Sequence, residues 1–355
     1  MKKIVINGLF LTQQLSGVQR NAIELVKELD KIVEKDFVEI AVPAGTEVSL
    51  QLCNIRIAHC GRLKGRLWEQ ISFLLYVMKN HSIALNFCNT APLFMPGITM
   101  ICDVIFKHRD DFPQEAQKYS KYLSREIQTR FLIALSKKIL TISNFSALEI
   151  KKFYHVSDDK LIVIPCAWQH YQNIESDDTI LDTLHLKSGQ YYFAMSNIAK
   201  HKNFNWVLQV AKNNLNTKFV ISGSYNKRYF DADIDIKRMN NIVYAGYVTD
   251  EEAKGLMANC KAFLSPTYYE GFGIPPMEAL SLGRNIIISD IPVYREIYED
   301  CAHYIRPDDY TINLETLLLE NVSKGKKIID KYSWQKSAMK LNGELMAIAQ
   351  KASIF

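Results

Sequence analysis

Residues 265–280, SPTYYEGFGIPPMEAL, join the end of an apolar run to a glycine-containing loop and the start of a helix. Pro275 and Pro276 stand where proline is favoured, in the first turn of a helix. Gly271 and Gly273 carry no side chain, so a ligand can approach the peptide N–H groups of the loop closely. Because a helix N-terminus carries partial positive charge, this stretch predicts a strand, a loop and a helix that together bind a phosphate group.

On both sides of this stretch, short runs rich in valine and isoleucine alternate with amphipathic segments of helical length. Such alternation is typical of parallel sheets whose strands are joined by crossover helices. Strands are predicted at residues 3–7, 38–42, 55–58, 83–87, 99–102, 138–142 and 161–164, and again at 191–195, 218–221, 242–244, 262–264 and 285–288. Helices are predicted at residues 18–34, 67–79, 116–135 and 333–350.

Two domains account for the length of the chain. Its 355 residues exceed the roughly 250 at which a single core stops growing. A polar stretch at residues 173–190 separates the two alternating regions and is predicted to be a linker. We therefore expect two doubly wound, Rossmann-like α/β domains at residues 1–172 and 191–335 that face a central cleft. A terminal helix at about residues 336–355 is expected to pack back on the first domain.

Composition indicates a globular protein, since 48% hydrophobic and 23% charged residues can bury a large core. The longest mainly apolar stretch inside the chain, residues 71–78, is far shorter than the roughly 20 residues that cross a bilayer. The first ten residues lack the apolar core of a signal peptide, so we expect a cytoplasmic location. Seven cysteines include no closely spaced pair of the zinc or redox type, which predicts reduced thiols.

Positive charge is concentrated in the first half of the chain. Residues 1–165 hold 22 Lys and Arg against 16 Asp and Glu, and the remainder holds 21 against 22. Arg62, Lys64 and Arg66 precede an apolar-faced stretch at residues 68–78, a combination that suits reversible docking on an anionic membrane. A solvated basic surface and an ordinary core helix account for the same pattern equally well.

Two glutamates, Glu270 and Glu278, flank the glycine loop. Taken singly, Glu278 suits the first turn of any helix and Glu270 a solvated loop. Together with the Gly-Phe-Gly-Ile-Pro-Pro sequence between them, they resemble the paired-glutamate signature of the retaining family 4 glycosyltransferases, of the bacterial polysaccharide and O-antigen type. That resemblance implies the GT-B fold and sugar transfer from a nucleotide-diphosphate donor. A glycosidase also uses two carboxylates, but it needs no phosphate-binding glycine loop.

The resemblance covers most of the chain. In the first half, the segments that match family motifs are Ser16-Gly17-Val18-Gln19-Arg20, Cys102-Asp103, and residues 141–146 and 163–165. In the second half, they are His201-Lys202-Asn203, Gly246-Tyr247-Val248-Thr249-Asp250, and residues 289–290 and 332–334.

The resemblance implies a role for each matching residue. Lys202 would neutralise the leaving diphosphate, Glu270 would orient the donor sugar and Glu278 would hold the ribose hydroxyls. The predicted catalytic residues are Glu270, Lys202 and Asp103. The predicted donor site comprises Gly17, Val18, Lys202, Tyr247, Val248, Glu270, Gly271, Phe272, Gly273, Ile274 and Glu278, with Cys102 in the sugar pocket. Arg20 and His108 are predicted on the acceptor side.

No metal or other cofactor is expected, because the donor is a co-substrate and this family neutralises its diphosphate with cationic side chains and loop amides. Asp231-Ala232-Asp233 resembles the Asp-x-Asp metal motif of other glycosyltransferases, but it lies in an acidic stretch away from any phosphate loop. The expected partners are a nucleotide-sugar donor and a glycan acceptor, free or lipid-linked. An anionic membrane surface is a further expected partner, and nucleic acid is not.

Three departures from the family pattern bear on the donor and on activity. Ser196-Asn197 replace a frequent Gly-Arg, and Cys166-Ala167 replace the usual Asn-Gly. Cys102 stands where the family commonly has a histidine near the 6-hydroxyl of the sugar, which suggests a 6-deoxyhexosyl in place of a hexosyl donor. Simple packing of a small buried residue explains Cys102 as well.

Two other functions remain alternatives. A sugar-nucleotide epimerase or hydrolase on the same fold would form product from the donor alone. A noncatalytic sugar-nucleotide-binding protein would bind the donor without turnover.

Overall fold

The computed structural model describes residues 1–108, 119–196, 199–223 and 239–352. They form two α/β units, each built on one parallel sheet. The first unit takes residues 1–107, 119–166 and 333–352, and the second takes residue 108 and the described part of 167–332. The predicted fold class, two Rossmann-like domains with parallel sheets, is confirmed.

The sheet of the first unit consists of β1 (Ile4–Asn7), β2 (Val38–Val42), β3 (Arg56–His59), β4 (Ile83–Asn86), β5 (Ile98–Met100), β6 (Lys138–Thr141) and β7 (Leu161–Val163). These strands lie in the order β3-β2-β1-β4-β5-β6-β7. Every residue of β1, β2 and β4 is buried, as expected of strands covered on both faces. The order reverses between β1 and β4, and ligands bind beyond the carboxyl ends of the strands at such a switch point.

Helices lie between and after the strands of the first unit. The longer ones are Gly17–Asp30, Tyr119–Leu135, Asn144–Tyr154 and the terminal helix Trp334–Lys351, and short 3-10 turns occur at Gly8–Thr12, Ile105–Lys107 and Asp158–Lys160. A continuous helix over residues 65–79 is α-helical at Gly65–Leu67 and Leu74–Lys79 and π-helical at Trp68–Phe73. The predicted helix at residues 116–135 begins in a stretch, 109–118, that lies outside the described residues.

The helix Trp334–Lys351 belongs to the first unit, where it packs along the helix Gly17–Asp30. The Ser333 hydroxyl caps it by accepting a hydrogen bond from the Lys336 N–H at 3.2 Å. One turn later, the Ser337 hydroxyl donates to the Pro165 carbonyl at 2.7 Å. The chain therefore returns to its first unit after completing the second.

The sheet of the second unit consists of β8 (Tyr191–Met195), β9 (Lys218–Ser222), β10 (Ile242–Gly246), β11 (Ala262–Ser265), β12 (Asn285–Ser289) and β13 (His303–Ile305), in the order β10-β9-β8-β11-β12-β13. Its helices are Thr179–Thr183, Phe204–Asn213, Asp250–Asn259, Ile274–Ser281, Pro292–Tyr298, Leu314–Leu317 and Lys326–Lys331, with 3-10 turns at Gln169–Asn173 and Lys200–Lys202. Among the described residues of both units, none of the helices combines the length and apolar character needed to span a bilayer.

The main segment of the second unit begins at residue 167 and includes the stretch 173–190, which the sequence suggested as a linker. Asp177 N–H donates to the Glu251 carbonyl at 3.0 Å. Gly255 approaches the same region so closely that a Cβ there would lie 2.2 Å from the Asp177 oxygen. The polar stretch is therefore packed on the helix Asp250–Asn259 through its backbone, which its polar composition did not reveal.

Candidate active site

The loop that follows β11 depends on Gly273. This residue caps the helix Ile274–Ser281 with φ 93° and ψ 70°, in the left-handed region that side chains disfavour. A Cβ at this position would lie 2.5 Å from Cε1 of Tyr294. Glycine is thus required by the backbone and by the neighbouring ring, in addition to the ligand approach that the sequence suggested.

Two buried tyrosines of the helix Pro292–Tyr298 support this loop. The Tyr298 hydroxyl donates to the Gly273 carbonyl, and the Tyr294 hydroxyl lies 2.7 Å from the Ser265 hydroxyl. Their rings pack edge to face with centroids 5.5 Å apart. Burial, reinforced by the Glu270 carboxylate, raises the pKa of Tyr294 well above its usual value, so its hydroxyl stays protonated.

Gly271, Phe272 and Ile274 complete the loop. Phe272 is 2% exposed and packs edge to face on Tyr332, with ring centroids 5.4 Å apart. Its side chain therefore anchors the loop, and its backbone N–H is the part that can serve an anion.

Lys202 and Glu270 form an ion pair at the carboxyl ends of β8 and β11. Lys202 Nζ donates to Glu270 Oε1 at 2.5 Å, and the two side chains are 18% and 16% exposed. Because β8 and β11 are neighbouring parallel strands, the loops that follow them meet at one edge of the sheet. The pair offers a partly buried cation for an anionic group and a carboxylate for hydroxyl groups.

Hydrogen bonds join the two loops that carry this pair. Tyr268 N–H donates to the His201 carbonyl at 2.7 Å. Asn203, which has a left-handed φ of 54°, donates from Nδ2 to the Pro266 carbonyl at 2.9 Å. Lys202 is thus held between two residues that are fixed to the neighbouring loop.

Glu278, in the helix Ile274–Ser281, is buried and pairs with His170. His170 Nε2 lies 2.8 Å from Glu278 Oε1, and the two side chains are 3% and 9% exposed. The indole N–H of Trp168, two residues before the histidine, donates to the Ile329 carbonyl at 3.1 Å. A buried carboxylate with a fixed partner keeps one orientation, which suits recognition of neighbouring hydroxyls.

Tyr247 and Val248 follow β10. Tyr247 is 76% exposed, whereas Val248 is buried. The next residue, Thr249, caps the helix Asp250–Asn259 with a capping box. The Thr249 hydroxyl accepts a hydrogen bond from the Glu252 N–H, and the Glu252 carboxylate accepts one from the Thr249 N–H. An exposed aromatic ring beside a capped helix offers a flat surface to a planar ligand.

In the first unit, Gly17 and Val18 begin a helix at the carboxyl end of β1. A Cβ on Gly17 would meet no described atom within 4 Å, so packing does not require glycine there. Arg20, one turn further on, is partly exposed. This helix start has room for a ligand to approach the backbone.

Cys102 and Asp103 follow β5 at the same edge of the first sheet. Asp103 Oδ1 accepts from the Ile105 N–H at 3.1 Å. Cys102 is 2% exposed, and its N–H donates to Asn89 Oδ1 at 2.6 Å. Burial raises the pKa of the Cys102 thiol well above its usual value, so the thiol stays neutral. The surroundings of Cys102 are those of a packed side chain.

His108, expected on the acceptor side of the first domain, groups with the second unit. Its ring lies 5.0 Å from the ring of Tyr269, the residue before Glu270. Asn197, Asp231 and the rest of the Asp-x-Asp segment lie outside the described residues. Within the described residues, no three His, Cys, Asp or Glu side chains gather in a way that could hold a metal ion.

Known proteins share this sequence pattern. Residues 178–307 match the family model described as glycosyl transferases group 1. The O-antigen chain mannosyltransferase RfbU of Salmonella typhimurium is 26% identical over 262 residues, which cover 70% of this chain and 69% of that protein. The O-antigen chain mannosyltransferase B of Escherichia coli is 24% identical over 331 residues, covering 83% of this chain and 84% of the relative.

Solved structures share the fold at low sequence identity. Sucrose-phosphate synthase from Thermosynechococcus elongatus superposes with a TM-score of 0.74 at 11% identity, covering 98% of this chain and 99% of that one. Anabaena HepE, in complex with UDP and glucose, superposes with a TM-score of 0.65 at 14% identity, covering 99% and 98%. Residues 178–307 of this chain therefore resemble the group 1 glycosyltransferases, and the chain has the GT-B fold.

The region that matches the family model contains Lys202, Tyr247, Glu270 and Glu278, but not His170. Sequence reasoning missed His170 because nothing near it marks a site, and its partner lies 108 positions away. It also missed two supporting residues of the second unit, Tyr294 and Tyr298. Asn203 stood in the matching His201-Lys202-Asn203 segment, but its hydrogen bond to the Pro266 carbonyl was not predicted.

Proposed function

We propose that this glycosyltransferase moves a hexose from a nucleoside-diphosphate donor onto a glycan of a cell-surface polysaccharide, with retention of anomeric configuration. The observation that carries the proposal is the Lys202–Glu270 ion pair beside the Gly273 loop, at the carboxyl edge of the second sheet. The names of two relatives, both O-antigen chain mannosyltransferases, support mannose as the first candidate sugar and polysaccharide as the product.

The donor would be held by its diphosphate, its ribose and its base. The Lys202 ammonium, the N-terminus of the helix Ile274–Ser281 and the Phe272 and Gly273 N–H groups would take the diphosphate. Glu278, oriented by His170, would accept hydrogen bonds from the ribose hydroxyls. The exposed ring of Tyr247 would cover the base. The structure of HepE with UDP and glucose supports a donor of this class.

Transfer would take place on one face of the sugar. The bond from the anomeric carbon to the diphosphate oxygen breaks, and a bond from that carbon to the acceptor oxygen forms on the same face. The acceptor proton passes to the departing phosphate oxygen, so no separate base is needed. Negative charge grows on the leaving group, and Lys202 with the loop N–H groups stabilises it without a metal. Glu270 would hold the sugar through its hydroxyls.

The first domain has candidate ligand-binding residues of its own. The helix start at Gly17 and Val18 would offer backbone N–H groups to a phosphate, and Asp103 and Arg20 would bind the acceptor. His108 is a further candidate for acceptor contact, although it groups with the second unit. We propose that the acceptor is a lipid-linked glycan, which would place the reaction at the cytoplasmic membrane.

A sugar-nucleotide panel tests the proposal. A true donor at 100 times its dissociation constant adds about 2.7 kcal/mol to the free energy of unfolding, which a thermal-shift measurement detects. The donor is then combined with a lipid-linked glycan, and the anomeric configuration of the product is read by NMR. Product from the donor alone would show an epimerase or hydrolase, and binding without turnover would show a noncatalytic protein. An inverted product would overturn the single-face mechanism.

A further inference from the structure

Exposed apolar side chains are concentrated on part of the first unit. Among the described residues, most of the large apolar side chains that are exposed lie between Leu63 and Leu148. An exposed apolar patch of this kind on a globular protein marks a surface that binds a partner or a membrane.

The helix over residues 65–79 carries the first row of these side chains. Leu67, Ile71, Leu75 and Met78 are 63%, 46%, 58% and 47% exposed, and their spacing of three or four places them on one helix face. The opposite side of this helix contains Trp68, which is fully buried although the sequence placed it at the start of the apolar-faced stretch 68–78. The helix therefore has apolar side chains on its outer side as well as in the core.

The helix Tyr119–Leu135 carries a second row. Leu123, Ile127, Phe131 and Leu135 recur every four residues and are 42%, 46%, 51% and 51% exposed. A helix on the surface of a globular protein normally turns charged and polar residues outward. Two helices of one unit thus depart from this rule in the same way.

Strand registers show that both helices cover the same face of the sheet. Val5 pairs with Ala84, Asn86 pairs with Thr99, and Thr99 pairs with Ile139. Side chains of paired residues point to the same side of a sheet, and so do side chains two residues apart on one strand, such as Ala84 and Asn86. The five side chains in these pairs therefore lie on one face of the sheet. Val5 and Ala84 belong to the cluster that holds the first helix, and Ile139 belongs to the cluster that holds the second.

The connection between β4 and β5 adds to this surface. Gln70, in the first helix, fixes the connection by accepting from the Leu93 N–H at 2.9 Å and donating to the Ala91 carbonyl at 3.0 Å. The next two residues, Phe94 and Met95, are 73% and 54% exposed. We call the two rows together with Phe94 and Met95 the apolar face.

The exposed charged side chains of the two helices, and of the segment before the first helix, are all positive. Each of the two helices contains a single acidic residue, Glu69 or Glu126, and both are buried with hydrogen-bond partners. The exposed charged side chains of these helices and of the segment before the first one are Arg62, Lys64, Arg66, Lys79, Lys121 and Arg130. The surface therefore combines apolar side chains with positive charge, which suits an anionic partner.

We propose that the apolar face docks on an anionic lipid bilayer. Its side chains would enter the boundary between headgroups and acyl chains, and the surrounding arginines and lysines would bind the headgroups. A second copy of the chain fits less well, because a symmetric dimer through this face would bring the same cationic groups together. The proposal extends the expected membrane contact of residues 62–78 to a second helix and a loop.

Vesicle flotation tests the charge contribution. The full chain should float with vesicles of phosphatidylglycerol and phosphatidylcholine, less so as salt rises, and not with phosphatidylcholine alone. The triple variant Arg62→Glu, Lys64→Glu and Arg66→Glu should lose at least about tenfold in partitioning. The matched control reverses three exposed lysines of the second unit, Lys212→Glu, Lys324→Glu and Lys326→Glu, and should float as the unchanged protein does.

A second pair of variants tests the apolar contribution. Leu75→Ser with Phe131→Ser changes one exposed side chain in each row and should lower partitioning by about tenfold. The control, Leu215→Ser with Leu319→Ser, changes two exposed leucines of the second unit and should have no effect. Thermal melting checks that all variants are folded.

Three results would overturn the proposal: equal binding to neutral vesicles, loss of binding in the controls as large as in the test variants, or a dimer in solution that Leu75→Ser with Phe131→Ser dissociates. Flotation needs neither donor nor acceptor. Its failure therefore leaves the proposed sugar transfer to be judged by its own experiment.

Discussion

Gly273→Ala is expected to destabilise the second domain and to prevent donor binding. The left-handed backbone at this position costs a residue with a Cβ roughly 1–2 kcal/mol. The new Cβ would also lie 2.5 Å from Cε1 and 3.3 Å from Cζ of Tyr294. Because Tyr294 is fully buried, moving its ring disturbs a packed core, at about 1–3 kcal/mol. The free energy of unfolding should fall by about 2–5 kcal/mol.

Gly189→Ala is the matched control. Gly189 has a similar φ of 73°, but a Cβ there would meet no described atom within 4 Å. Its replacement should cost only the backbone strain of roughly 1–2 kcal/mol. Urea unfolding of both variants gives the two free energies, and the thermal shift caused by the donor shows whether the loop still binds it.

The double variant Gly273→Ala with Tyr294→Ala separates packing from strain. Without the Tyr294 ring, Gly273→Ala should lower the free energy of unfolding by about as little as Gly189→Ala does. Equal destabilisation by the two single glycine variants would refute the close approach to Tyr294. An unchanged donor-induced thermal shift in Gly273→Ala would refute the loop as the diphosphate site.

Four further outcomes are expected. Glu270→Ala and Lys202→Ala each lower turnover at least about tenfold, which is roughly 1.4 kcal/mol of transition-state stabilisation, and leave the protein folded. Wild-type turnover in either variant would show that the residue is not part of the site. His170→Gln raises the donor KM about tenfold because the Glu278 carboxylate, proposed to bind the ribose, loses its buried partner. His303→Gln, at another buried histidine of the second domain, leaves KM unchanged, and equal effects would mean general packing. In the donor panel, an ordinary hexose is used better than its 6-deoxy counterpart, since Cys102 is a packed side chain. A preference for the 6-deoxy sugar that Cys102→His weakens would instead show that Cys102 contacts the sugar. Transfer continues in excess EDTA, and a loss that magnesium restores would contradict the metal-free mechanism.

Much of the fold follows from runs of buried aliphatic and aromatic residues. The strand β8 (Tyr191–Met195) has the predicted bounds, because a strand covered on both faces is apolar along its length. The strand β2 (Val38–Val42) also has the predicted bounds, although it contains Glu39, whose carboxylate accepts hydrogen bonds from Arg56 and Tyr76. The edge strand β13 (His303–Ile305) was not predicted. It has three residues, one of them a histidine, and its pairing with β12 defines it. Local sequence carries little signal for so short an element.

The sequence by itself determined the two α/β domains and the residues proposed to contact the donor. Lys202, Glu270 and Glu278 stand in short motifs that follow strands, and local geometry places such residues at the carboxyl edge of a sheet. Only the tertiary structure decided which side chains support them and which helix faces stay exposed. His170 is 108 positions from Glu278, and Tyr298 is 25 positions from Gly273. These partners meet because burial removes water as an alternative, so most buried polar atoms form their hydrogen bonds within the packed unit.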